Sequence, residues 1–202
     1  MNAKINILHA FGWEESSIDS SWVDDFNFYL SGMTVMSNYV KKVLIDNGVY
    51  VPIQVCGLGT DHYQKINQDP DFILEGNNFR FLHISSCFPR KGVKYLIDAY
   101  TNEFSSKDSV SLIIKTFNNI HNNIDQYLSK LKENNSDLPE IIVIYDDFSE
   151  SQIKSLYCTC DALVAPSLGE GFGLPIAEAM RLELPVITNS YGGQMDFCNE
   201  NN

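Results

Sequence analysis

From residue 79 to residue 189 the chain alternates short β-branched apolar runs with stretches of helical periodicity, and this alternation constrains the fold more than anything else in the sequence. FRFLHISS (79–86), SVSLIIKTF (109–117), PEIIVIY (139–145), ALVAPS (162–167) and PVITN (185–189) read as buried strands. Between the first two, KGVKYLIDAYTNEF (91–104) sets Val93, Leu96, Ile97, Tyr100 and Phe104 on one helical face. HNNIDQYLSKLKEN (121–134) is a second helix. A third opens with Ser149 and Gln152 spaced as a capping box, followed by Ile153, Leu156, Tyr157 and Cys160. A fourth follows Pro175. Repeated β-α units of this length predict an α/β domain, a Rossmann-like doubly wound parallel sheet that takes its ligand at the carboxyl ends of the strands.

Before residue 79 the pattern is looser. KINILHA (4–10) reads as a strand, WVDDFNFYLSGM (22–33) as a partial helix, and VMSNYVKKVLIDNG (35–48) as a helix entered from Ser37 and ended by Gly48. VPIQVCGLGTD (51–61) is a strand running into a glycine turn, and residues 62–78 are polar and irregular. At 202 residues the chain holds one full domain and part of another.

The strand 161–167 feeds Glu170-Gly171-Phe172-Gly173-Leu174-Pro175, with Glu178 further on. Glycines there let a ligand approach the backbone, and Pro175 sits where a helix takes its first turn. N–H groups unpaired at a helix start, helped by the helix dipole, favour a phosphate or diphosphate. Glu170 and Glu178 would repel phosphate directly, so their natural partners are hydroxyls on either side of it. The implied ligand is a sugar–diphosphate–nucleoside. A mere strand-to-helix turn with Glu178 on a solvated face would require neither both carboxylates nor a separate basic element.

The run EGFGLPIAE (170–178) resembles the Glu-x7-Glu element of the retaining glycosyltransferases of family four, which have the GT-B fold. The resemblance continues through Pro89-Arg90-Lys91-Gly92, SLYCTCDALVAPS (155–167), Leu184-Pro185-Val186-Ile187-Thr188 and Gly192-Gly193. It implies residues 1–61 as a remnant of the amino-terminal acceptor-side domain, 62–78 as a linker and 79–202 as the donor-binding domain, the fold being incomplete at both ends. It also implies that Glu170 contacts the transferred sugar, that the backbone of Gly171, Phe172 and Gly173, with Leu174 behind it, holds the sugar hydroxyls, and that Glu178 takes the ribose. Lys91 falls on the diphosphate with Arg90 beside it. The catalytic residues are then Glu170 and Lys91, in a front-face reaction where the leaving phosphate helps deprotonate the acceptor and Glu170 positions the sugar. Many relatives carry an arginine where this chain has Ser86, so either Arg90 or Lys115 stands in for it or diphosphate binding is weaker than usual; Lys115 reads equally as a solvated lysine at a strand end. The residues around Tyr145 to Phe148 are the expected base pocket.

No cofactor is expected beyond the nucleotide sugar, and no metal. Asp69-Pro70-Asp71 has the spelling of a metal-binding pair, but it lies in the irregular stretch and follows no apolar strand. Lys and Arg number 14 against 26 Asp and Glu, a net charge of −12, which argues against nucleic acid as the main partner. The expected partners are a nucleotide sugar and a glycan or lipid-linked acceptor. The five cysteines, Cys56, Cys87, Cys158, Cys160 and Cys198, show no paired metal spacing and fit a reduced cytoplasm, with Cys158 and Cys160 as packing residues. No run reaches the ~18 apolar residues of a membrane span, although the resemblance implies peripheral membrane contact for full-length relatives. His9, His62, His83 and His121 are scattered and read as structural, and Glu14 and Glu15 as surface charge.

The leading functional expectation is a retaining glycosyltransferase building a surface polysaccharide. The alternative is a non-catalytic fragment that binds nucleotide sugar. A dinucleotide-dependent oxidoreductase shares the topology, but Gly57-x-Gly59 lacks its third glycine and Gly171-x-Gly173 follows the wrong strand. A sugar-nucleotide epimerase on the same fold is a further reading.

Overall fold

The computed structural model describes residues 4–199 and residue 202. The chain forms two units. The first holds the amino-terminal part through Gly59 together with Gly169–Leu174 and Ser190–Asn202; the second holds Thr60–Leu168 and Pro175–Asn189.

The second unit is built on a five-stranded parallel sheet. Its strands are β4 (Phe79–Ile84), β5 (Val110–Lys115), β6 (Glu140–Ile144), β7 (Ala162–Ala165) and β8 (Val186–Thr188), preceded in the first unit by β1 (Ile7–Phe11), β2 (Gly32–Val35) and β3 (Ile53–Val55). The order across the sheet is β6-β5-β4-β7-β8. Every pairing is parallel, with Ile84 opposite Lys115 at the carboxyl ends of β4 and β5. Parallel strands covered on both faces read as unbroken apolar runs. Residues 111–115 of β5 are accordingly all buried. The chain reverses its direction of travel between β4 and β7, and that switch point is where ligands bind in open α/β sheets.

Among the described residues six α-helices accompany the strands: α1 (Ser20–Tyr29), α2 (Asn38–Asp46), α3 (Val93–Glu103), α4 (Ile124–Asn134), α5 (Glu150–Thr159) and α6 (Leu174–Arg181). Val93, Leu96, Ile97 and Tyr100 of α3 pack with Ile124 and Leu128 of α4 onto Leu112 and Ile114 of β5. Burial of each large aliphatic group contributes about 1.5–3 kcal/mol. Phe104, the last apolar residue of the sequence pattern, is the C-cap of α3 and is partly buried. The predicted capping box is present: Ser149 accepts from the Gln152 N–H while the Gln152 side chain accepts from the Ser149 N–H. Cys158 is exposed and Cys160 is buried, where burial pushes its thiol up to about 12.

The first unit is a three-stranded parallel sheet, β1-β2-β3. Met33 and Val35 of β2 pack with Val40, Val43 and Leu44 of α2 and with Val23 of α1. Ser37 caps α2 by accepting from the Val40 N–H at 3.2 Å. Residues 22–33 are not a single partial helix, because α1 ends at Tyr29 and Gly32–Val35 is a strand. The four residues are too few to show a period of two, and the chain from Trp22 onward carries helical spacing that masks them. Among the described residues no helix is long and apolar enough to cross a membrane.

Candidate functional site

In the second unit the basic element is a single 3-10 turn, Pro89–Lys91, between β4 and α3. Pro89 starts it, and Gly92 ends it in the left-handed region at φ 71°. Gly92 is required twice over: a Cβ there would also run into the Pro166 carbonyl. The Arg90 carbonyl accepts the Leu168 N–H at 2.7 Å. The Arg90-Lys91-Gly92 turn is therefore seated directly on residues 166–168, the segment that leads out of β7 into the glycine loop. Residues 74 and 78 positions apart in sequence thus meet at the carboxyl edge of the sheet. Arg90 and Leu168 also line a groove of about 550 Å³ with Lys94, Tyr95, Asp98, His121 and Tyr127.

Glu178 lies on the second turn of α6 and is half-buried. Tyr157 of α5 donates its hydroxyl to Glu178 Oε2 at 2.8 Å. Burial raises the Glu178 carboxyl above its ordinary range, while the Tyr157 hydrogen bond and the nearby His62 pull it back down. The same burial, together with the Glu178 charge, holds the Tyr157 phenol well above its ordinary value, so it stays a donor. The reading of Glu178 as a residue on a solvated face is thereby removed.

Lys115, at the carboxyl end of β5, is buried. Its Nζ donates to the Thr116 carbonyl at 3.1 Å and lies 5.3 Å from the centre of the Phe148 ring. Burial pushes its ammonium below the usual range, with Asp147 and Asp146 acting the other way. Lys115 is thus gathered with Phe148 and the aspartates after β6, where the sequence suggested a base pocket. Asp69 and Asp71 form a local turn in which Asp69 Oδ1 accepts the Asp71 N–H at 3.0 Å. Among the described residues no three His, Cys, Asp or Glu side chains are grouped to hold a metal ion. His83 is buried and held by the Val164 carbonyl and Ser85, both at 2.8 Å, as a structural histidine would be.

The glycine loop belongs to the first unit. Glu170, Gly171, Phe172 and Gly173 are all buried, whereas Leu174 is exposed. The loop is held by its carbonyls. The Glu170 carbonyl accepts the Gly193 N–H at 2.7 Å, and the Gly171 carbonyl accepts the wholly buried Ser37 hydroxyl at 2.6 Å. A Cβ on Gly193 would strike the Gly171 carbonyl, so only glycine fits there. The Phe172 ring packs against Phe197 at 5.1 Å between centroids. With the carbonyls engaged, the N–H groups of Gly171, Phe172 and Gly173 donate to no protein acceptor among the described residues. Three successive backbone donors ahead of a helix form the kind of site that receives an anion or polar oxygens.

Within the first unit the structure brings Glu170, Gly171, Phe172 and Gly173 together against Gly193, and within the second it seats the Arg90-Lys91 turn on residues 166–168. Tyr157 and His62, the groups that act on Glu178, were not singled out in the sequence as site residues. The signal for Tyr157 was a tyrosine on the buried face of a helix, since a buried phenol needs a hydrogen-bond partner.

The sequence model of the family described as "Glycosyl transferases group 1" matches residues 64–202. The O-antigen chain mannosyltransferase RfbU of Salmonella typhimurium is 33% identical over 131 residues, covering 63% of this chain and 34% of that protein. The serotype-specific mannosyltransferase WbdA of Escherichia coli is 30% identical over 107 residues, 53% of this chain and 13% of that one. Among solved structures, a glycosyltransferase from Rickettsia africae superposes with a TM-score of 0.77 at 22% identity, covering 96% of this chain and 54% of that chain. Anabaena HepE in complex with UDP-glucose gives 0.76 at 20% identity, covering 96% and 56%. The chain spans about a third of the length of the Salmonella relative and about half that of these two structures. The α/β architecture with parallel sheets matches the GT-B glycosyltransferase structures.

Proposed function

The chain belongs to the group 1 glycosyl transferases, and from that premise we propose that it is a retaining glycosyltransferase, or the donor-binding part of one. It moves a hexose from a nucleotide-diphosphate sugar to a glycan or lipid-linked acceptor in the cytoplasm, in the synthesis of a surface polysaccharide. The observation that carries this reading is the Glu170–Gly173 backbone, pinned through the Glu170 and Gly171 carbonyls with the N–H groups of Gly171, Phe172 and Gly173 left for a ligand. Lys91, on a turn locked to the approach to that loop, meets the diphosphate, and Arg90 supports it. Glu170 accepts hydroxyls of the transferred hexose, and Glu178 accepts those of the ribose. Fixed cations and backbone dipoles stabilise the leaving diphosphate, so the mechanism calls for no metal. Residues 1–61 serve the acceptor side, 62–78 link, and 79–202 bind the donor.

Holding the sugar in one orientation lowers the barrier by several kcal/mol, since a bound near-attack geometry removes entropy cost beforehand. The mannosyltransferase relatives make mannose, carried on UDP or GDP, the first sugar to test, with UDP-glucose beside it. At one hundred times its dissociation constant a true donor adds about 2.7 kcal/mol of stability, which thermal shift detects. Calorimetry followed by a transfer assay separates donor binding alone from turnover. Lys91→Ala weakens donor binding, and Glu170→Ala in a full-length enzyme lowers turnover at least about tenfold. Binding of neither donor class, or wild-type turnover in Glu170→Ala, overturns the assignment.

A further inference from the structure

Glu178 is backed by a hydroxyl that packing alone does not explain. Tyr157 is 1% exposed, and its ring would fill the same space as phenylalanine. A buried hydroxyl without a partner is destabilising, so the atom earns its place through what it binds. Its near partner is Glu178 Oε2 at 2.8 Å; the Pro175 carbonyl stands farther off at 3.4 Å. One phenol has one proton, and the shorter contact is to the charged acceptor.

The surroundings keep that arrangement in place. The 3-10 turn Asp61–Gln64 carries His62 and the buried Tyr63, whose ring stands edge-on to Tyr157 at 6.2 Å. Lys154 Nζ donates to the carbonyls of Tyr63 at 2.8 Å and Ile66 at 2.6 Å, fastening this stretch to α5. The groups facing Glu178 are therefore Tyr157 from α5 and His62 and Tyr63 from the turn, with Glu150 acting on Tyr63.

We propose that Tyr157 is a positioning residue for donor binding: its hydroxyl occupies Glu178 Oε2 and so presents Oε1 as the acceptor for a ligand's vicinal diol. This rests on the reading of Glu178 as the ribose contact. The helix by itself leaves the carboxylate several rotamers, and the Tyr157 bond selects one. It also holds the carboxyl closer to its ionised form than burial alone would.

The test compares the 202-residue wild-type chain with Tyr157→Phe. Calorimetry uses UDP and GDP, and then the 2′,3′-dideoxy form of whichever binds. Tyr157→Phe weakens the ribonucleotide about tenfold, in line with loss of a charge-assisted hydrogen bond, and leaves the dideoxy form unchanged. In a Glu178→Gln background the same change has a much smaller effect, which separates it from loss of packing. Independently of any ligand, carbon-detected NMR titration of the Glu178 carboxyl moves upward in Tyr157→Phe, because a contact that favours the charged form has gone. Equal losses for ribo and dideoxy forms, or a Glu178 titration that does not move, overturn the proposal. If the wild type binds neither nucleotide, the reading of the donor site falls and the positioning role with it, whereas ribonucleotide binding that Tyr157→Phe leaves unaltered sinks only the positioning role.

Discussion

The two glutamates of EGFGLPIAE are eight residues apart and are held by opposite means. Glu170 sits in a turn fixed by main-chain contacts: its own carbonyl is bound by the Gly193 N–H, and the next carbonyl by Ser37. Glu178 sits on a regular helix and is fixed by one side-chain hydroxyl. The first arrangement depends on the absence of side chains at Gly193 and Gly171, and the second on the presence of one at Tyr157. Errors in the first are therefore steric and abrupt, and errors in the second are electrostatic and graded with pH.

Three substitutions test that contrast in descending order of effect. Gly193→Ala drives a Cβ into the Gly171 carbonyl, and backbone has no rotamer by which to yield. It should destabilise the chain by about 3 kcal/mol or more, lowering the melting temperature by roughly 6–12 °C at every pH. Melting within a degree of wild type would show that the turn adapts, and the contrast would fail. Ser37→Ala removes the cap of α2 and leaves the Gly171 carbonyl without its buried donor. The two losses together are worth about 2 kcal/mol. Chemical denaturation measures this, and a loss below about 0.5 kcal/mol would mean that Ser37 does not hold the loop.

Glu178→Gln has the smallest effect and the opposite sign. Desolvation raises the folded carboxyl above its ordinary 4.5, so its contribution to stability is complete below that value and is lost as pH rises through the folded value. Glutamine carries no charge to desolvate. The variant should melt above wild type at pH 7–8, with the gap closing as the pH falls below the ordinary carboxylate range. A gap that is constant across pH would place Glu178 with Glu170, as a residue held by shape rather than by charge.

Much of this was legible in the chain. The helical face of Val93, Leu96, Ile97 and Tyr100 and the capping box of Ser149 and Gln152 are local, since residues within a turn of one another decide them. The five strands of the second unit announced themselves as apolar runs for a related reason: a strand covered on both faces has no polar side to interrupt it. β2 did not, because Gly32–Val35 is short and adjoins helical spacing. Among the candidate residues, the glycines and both glutamates stood out by spacing, whereas Tyr157 read only as one more apolar position on α5.

Local chemistry determined where strands and helices form, which strand leads into a glycine loop and which short turn carries the paired basic residues, since each of these depends on neighbours a few positions away. The tertiary structure decided the strand order β6-β5-β4-β7-β8, the seating of the Arg90-Lys91-Gly92 turn on residues 166–168, the closure of Gly193 over Gly171 and the pairing of Tyr157 with Glu178. Those partners lie some twenty to eighty residues apart, and no periodicity spans such a distance. Only the folded chain, in which each buried polar group has to find a partner, selects them.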